Sequence, residues 1–128
     1  MPVRILVVED DALVAASLVN RFETEGYNVD SVGSLSSAKA RLAAPPRVDL
    51  LALDLILPDG NGIELFDFLA ELKTTVPVVV ISAIHSDEVR LRAFDAGAED
   101  YVVKPYSLRE VAARVHNILK TSRGHLPG

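Results

Sequence analysis

Short apolar runs and helical stripes take turns along the chain. The runs are ILVV (5–8), NVDSV (28–32), LLAL (50–53), VVVI (78–81) and YVV (101–103). Between them, apolar residues recur every three or four positions, the period of one helix face. Val14, Leu18 and Phe22 make the first stripe, with Gly26 placed as a C-terminal stop. Ser34 is placed to cap a second helix carrying Leu35, Ala38 and Leu42, and Pro45-Pro46 closes it. Leu65, Phe66, Leu69 and Leu72 form a third stripe. Val89, Ala93 and Ala96 form a fourth, ended by Gly97. The cleanest face belongs to Leu108, Val111, Ala112, Val115, Ile118 and Leu119.

Strict strand–helix alternation predicts a parallel sheet with helices on both faces. The first, third and fourth runs are unbroken, as expected of strands buried on both sides. The second is interrupted by Asp30 and Ser31, and the fifth is short, so these two read as edges. The strand order that satisfies this is 2-1-3-4-5, an α/β, doubly wound, five-stranded parallel sheet of the flavodoxin-like (βα)5 kind. Residues 1–121 are expected to form the domain, and 122–128 a tail or linker stub.

Composition narrows the class. The chain has 128 residues, enough for one domain with a proper core. Apolar residues make up 49% and charged residues 24%, the balance of a globular domain. Cysteine is absent, which excludes disulfides and thiolate chemistry. No apolar run is long enough to span a bilayer, and the start, MPVRILVVEDD, is unlike a signal peptide. A cytoplasmic location and no membrane partner are therefore expected. The net charge is −5 and the basic residues are scattered, so this chain is not expected to bind nucleic acid itself.

The acidic and polar positions gather where such a sheet binds ligands, beyond the carboxyl ends of its strands. The first run ends in Glu9-Asp10, the third in Asp54, the fourth in Ser82 and the fifth in Lys104. Asp54 sits directly behind LLAL and ahead of the turn Pro58-Asp59-Gly60. An ionised group there is costly unless paired, hydrated or metal-bound. Asp11 reads as a cap of the first helix and His85 as a solvated loop residue. Glu9, Asp10 and Asp54 together would force one carboxyl to stay protonated unless a cation intervenes. An all-oxygen set without His or Cys suits Mg²⁺ (or Mn²⁺) rather than Zn²⁺. Asp54 could then act as a carboxylate nucleophile that forms an aspartyl phosphate, with Ser82 and Lys104 binding phosphoryl oxygens.

Four motifs, ILVVEDD, LDLILPDGNGIEL, VVVISA and AGAEDYVVKPYS, resemble the receiver domain of a bacterial two-component response regulator, over residues 3 to about 120. The resemblance implies that Asp54 is the phosphoacceptor. It implies a metal site of Glu9, Asp10, Asp54 and the main-chain carbonyl of Ile56. It places Ser82, Ala83 and Lys104 on the phosphoryl group and Tyr101 as the switch aromatic. The implied phosphoryl donor is a sensor histidine kinase or phosphotransfer protein, and the implied role is a switch that assists its own phosphorylation and dephosphorylation rather than an enzyme. Glu9 and Ser82 are mild departures from Asp and Thr. Apolar Ile56 and Ile84 imply slow hydrolysis of the aspartyl phosphate.

Rival readings fare worse. A haloacid-dehalogenase-like phosphatase needs a second Asp two residues after the first, where this chain has Ile56. A flavodoxin would offer a Ser/Thr/Gly-rich phosphate loop where this chain has acidic EDDAL. A degenerate receiver, acting as a phosphate-independent interaction module, should lack the Asp or the Lys, and both are present. Lys104 must turn back into the site as the chain leaves the sheet, so the Lys104-Pro105 bond is expected to be cis, at a cost of about 0.5–1 kcal/mol. Arg90, Glu99, Asp100, Glu110 and Arg114 spread both signs of charge over one surface. That surface suits a two-fold homodimer formed on phosphorylation, with each sign meeting its complement. A single-domain regulator could end near Lys120, but the segment SLREVAARVHNILK resembles the last receiver helix of winged-helix regulators, which favours a fragment of a longer regulator.

Overall fold

The computed structural model describes residues 2–123. The elements are β1 (Arg4–Val8), α1 (Ala12–Thr24), β2 (Asn28–Val32), α2 (Leu35–Leu42), β3 (Leu50–Leu53), β4 (Ile56–Leu57), β5 (Gly60–Asn61), α3 (Glu64–Glu71), β6 (Val78–Ser82), α4 (Asp87–Ala96), β7 (Asp100–Val103) and α5 (Leu108–Arg123). The main sheet is all parallel, in the order β2-β1-β3-β6-β7. This is the expected order, with β4 and β5 forming a separate antiparallel hairpin. Of the tail residues, 124–128 lie outside the described residues.

Strand alternation divides the core into two layers. Leu6, Val8, Leu51, Leu53, Val78 and Val80 point to one face and pack under Leu35 and Ala38 of α2, Leu65 and Leu69 of α3, and Ala93 of α4. Ile5, Val7, Leu50, Ala52, Val79, Ile81 and Val102 point to the other face, under Leu18 and Phe22 of α1 and Val111, Val115 and Leu119 of α5. A side chain every second residue reaches each layer because successive strand positions face opposite ways. β2 stands at the edge, where Asp30 meets Arg4 and Arg41 on the protein's rim (3.5 and 2.9 Å).

Helix boundaries follow local chemistry. Asp11 caps α1 through the N–H groups of Leu13 and Val14 (3.0 and 3.1 Å). Ser34 caps α2 through Ser37 N–H (3.1 Å), and Ser86 caps α4 through Val89 N–H (3.2 Å). Gly97 ends α4 with φ of 121°, a left-handed geometry that a side chain would strain. The fourth stripe is thinner than its spacing predicts. Ala96 is exposed, and Ala98 in the following turn is buried in its place. Leu72 leaves the third stripe, because it caps α3 and stands 40% exposed.

Candidate functional site

The carboxyl ends of β1 and β3 are stitched side by side. Asp54 N–H donates to Val8 C=O (2.9 Å), and Glu9 N–H donates to Val32 C=O on the other flank (3.0 Å). Main-chain pairing thus sets Glu9 and Asp54 on neighbouring strand ends, both buried. Asp10 is exposed beside them. One oxygen from each of Glu9, Asp10 and Asp54 lies within 4.8 Å of the others.

Lys104 enters from the end of β7. Its N–H donates to Ser82 C=O (2.9 Å), and the Lys104-Pro105 bond is cis. The ammonium Nζ donates to Glu9 Oε1 (2.5 Å) and to Asp54 Oδ2 (2.9 Å). The remaining carboxylate oxygens meet main-chain donors. Asp11 N–H reaches Glu9 Oε2 (3.1 Å), and Ile56 N–H reaches Asp54 Oδ1 (3.0 Å). Three carboxylates against one ammonium leave excess negative charge at the rim.

The electrostatics show how the pair is balanced. Burial raises the Glu9 carboxyl above its ordinary range, against the pull of its bonds to Lys104 and Asp11 N–H, and the neighbouring Asp54 charge adds to the rise. For Lys104, burial works against the charge, but the bonds to Glu9 and Asp54 together outweigh it and raise the pKa. For Glu9 burial outweighs its one cation, whereas Lys104 has bonds to two carboxylates that offset its burial.

Ser82 and Tyr101 are joined through one loop residue. Ser82 is fully buried at the end of β6, and its Oγ accepts Ile84 N–H (3.3 Å). The Tyr101 hydroxyl donates to Ile84 C=O (2.9 Å). Tyr101 lies inward and is buried, which pushes its phenol pKa up. Ala83 is exposed between them, next to the rim. His85 is exposed, but its ring nitrogen lies 3.2 Å from Lys104 C=O, a contact across 19 positions that no local pattern announces.

Two residues of the PDGNG turn matter more than their sequence suggests. A Cβ on Gly62 would stand 2.3 Å from the Asp54 carbonyl oxygen and 3.0 Å from Leu55 Cα, so only glycine lets the chain pass behind Asp54. Asp59 accepts hydrogen bonds from two main-chain N–H groups at the start of α2. The motif itself was visible in the sequence, but neither contact follows from it.

The residues of the expected dimer surface lie on α4, β7, α5 and the turn before β7. Arg90 and Glu99 are exposed. Arg114 donates to Asp100 (2.7 Å) and to Glu110 (2.9 Å) within the protomer. These bonds raise the Arg114 pKa, the one to Asp100 most.

The donor set fits a hard divalent cation. It offers three carboxylates, and the exposed edge at Asp10 leaves room for water. Mg²⁺ favours this kind of site, with a few carboxylates and retained waters.

Comparison with known proteins agrees with this fold. The family model of the response regulator receiver domain matches residues 5–116. The chain is 38% identical to the transcriptional regulatory protein BasR of Escherichia coli over 117 residues, covering 91% of this chain and 52% of the relative. It spans about half the length of the curated relatives it matches. Among solved structures, the non-phosphorylated HemR receiver domain of Leptospira biflexa is 35% identical, with a TM-score of 0.84 over 93% of this chain and 94% of that one. A CheY-like receiver domain protein of Methanospirillum hungatei has a TM-score of 0.91 at 26% identity, covering 97% and 98% of the two chains. The sheet order, the strand-end cluster and these matches agree: the chain belongs to the response regulator receiver domain family of two-component signalling systems.

Proposed function

We propose that Asp54 takes a phosphoryl group from the phosphohistidine of a sensor kinase or phosphotransfer protein in the cytoplasm, and that this resets a two-state switch. One observation carries the reading: Lys104 Nζ bridges Asp54 and Glu9 inside a cluster of three carboxylates at the strand ends. In the transfer, an Asp54 carboxylate oxygen forms the new O–P bond and the P–N bond to the donor imidazole breaks. Glu9, Asp10, Asp54 and the Ile56 carbonyl would hold Mg²⁺ (or Mn²⁺), whose chemistry when bound is to neutralise the carboxylates and the phosphoryl oxygens.

The chain's own groups do the rest. Lys104 moves its hydrogen bond from Asp54 to a phosphoryl oxygen. Ser82 and the N–H of Ala83 supply further donors. Charge-assisted bonds contribute roughly 1.5–3 kcal/mol each. Shifting a switch from 1:99 to 99:1 takes about 5.5 kcal/mol, so two or three such bonds suffice. Movement of Ser82 carries Ile84, whose carbonyl holds the Tyr101 hydroxyl. The signal thereby reaches the face of α4, β7 and α5, where Arg90, Glu99, Asp100, Glu110 and Arg114 would meet a second protomer about a two-fold axis.

The test is phosphorylation by acetyl phosphate with and without a chelator. Incorporation that requires a divalent cation supports the reading, and equal incorporation in excess chelator contradicts it.

A further inference from the structure

The hairpin β4–β5 carries Ile56 and has little to hold it in itself. It pairs only Ile56 with Asn61 and Leu57 with Gly60. A two-stranded piece this short has no stability of its own. Its downstream strand is braced locally: Gly62 N–H donates to Leu55 C=O (2.8 Å), Asn61 N–H to Glu64 Oε2 (3.3 Å) and Ile63 N–H to Asn61 Oδ1 (3.0 Å). The tip is held from across the fold. Asp59 Oδ1 accepts Leu35 N–H at 2.7 Å, and Asp59 Oδ2 accepts Ser36 N–H at 3.0 Å. These donors open α2 and lie 24 and 23 positions away in the chain. The contact is charge-assisted and uses both carboxylate oxygens, which an amide with one acceptor oxygen cannot reproduce.

We infer that Asp59 is a positioning residue: by pinning the hairpin tip to the start of α2, it fixes the Ile56 main chain relative to Glu9, Asp10 and Asp54, and so sets the cation affinity of the cluster. The inference rests on the proposal that this cluster and the Ile56 carbonyl hold Mg²⁺. Ile56 also connects the hairpin to the phosphoacceptor directly, because its N–H donates to Asp54 Oδ1 (3.0 Å). Loss of the Asp59 clasp therefore loosens a main-chain ligand and an Asp54 partner together. Ser34 provides the internal comparison. It caps the same helix end through Ser37 N–H (3.1 Å), and its hydroxyl bonds to Ser36 and Ser37 rather than to the hairpin.

Calorimetric titration with Mg²⁺ of the wild type, Asp59→Ala, Asp59→Asn and Ser34→Ala tests this. Groups that orient metal ligands cost 10–100-fold in affinity when removed, and the lower end, about tenfold, is expected for Asp59→Ala. Asp59→Asn should weaken binding by less, and Ser34→Ala should leave the affinity unchanged. The main-chain amide resonances of Ile56 and Leu57 should move in Asp59→Ala before any Mg²⁺ is added. Wild-type Mg²⁺ affinity in folded Asp59→Ala, or an equal loss in Ser34→Ala, would overturn the inference and leave the cation site standing. If Asp59→Ala does not fold, wild-type affinity in Asp59→Asn overturns it. A wild type that binds no Mg²⁺ overturns both.

Discussion

Replacing Lys104 with Met keeps the aliphatic stem and removes the charge. The Lys104 side chain is 21% exposed, but its partners Glu9 and Asp54 are only 3% and 6% exposed. Removing one partner of a buried ion pair costs about 3–5 kcal/mol, because the survivors keep an uncompensated charge. Here Glu9, whose pKa burial already raises, can take up a proton, and the lysine is partly hydrated, so about 2 kcal/mol is the expected loss without divalent cation. With a urea slope of about 2 kcal/mol per M, the unfolding midpoint should fall by about 1 M. Excess Mg²⁺ should restore the variant more than it helps the wild type, since the competing ammonium is gone. At a concentration one hundred times the dissociation constant, that gain is about 2.7 kcal/mol.

The pH profile gives the sign. Lys104 has a raised pKa, so its contribution is complete below the ordinary lysine value of 10.5 and is lost as pH rises through the folded value. Glu9 is also raised, from 4.5, so the folded state gains from its protonated form at low pH and loses that gain as pH rises through the folded value. The stability gap between wild type and Lys104→Met should therefore be widest near neutrality and close at both extremes. Equal midpoints in chelator, or a gap that does not change with pH, would refute the ion-pair argument.

Two further outcomes are expected. Gly62→Ala should destabilise by about 3 kcal/mol, the upper end for overpacking, because its Cβ would lie 2.3 Å from the Asp54 carbonyl oxygen; urea unfolding at the wild-type midpoint would show that the turn yields freely. Sedimentation should show a dimer when beryllofluoride and Mg²⁺ are added, and Arg114→Glu should abolish it at a modest cost to the protomer, since its pairs to Glu110 (exposed) and Asp100 (half-buried) contribute about 0–1 kcal/mol each and the new carboxylate faces both; a dimer undisturbed by Arg114→Glu would place the interface elsewhere.

The sheet was legible because burial leaves a mark on composition. β3 is apolar throughout and β1 and β6 carry unbroken apolar runs at 5–8 and 78–81, whereas Asp30 and Ser31 expose β2 as an edge. The rim was legible because Glu9, Asp54, Ser82 and Lys104 each follow an apolar run, and parallel strands bring such ends together. The β4–β5 hairpin was not, because two residues on each side show no period. Asp59 reads as an ordinary turn residue until α2 is placed against it. The Glu110–Arg114 pair has helical i,i+4 spacing, but Asp100 joins it only through the packing of α5 beside β7.

The central claim is that Asp54 accepts the phosphoryl group. Intact-mass measurement of the wild type and Asp54→Asn after incubation with acetyl phosphate and Mg²⁺ tests it most directly. One added phosphoryl group is expected on the wild type and none on Asp54→Asn. Equal phosphorylation of both proteins, or none on the wild type at saturating donor, would contradict it.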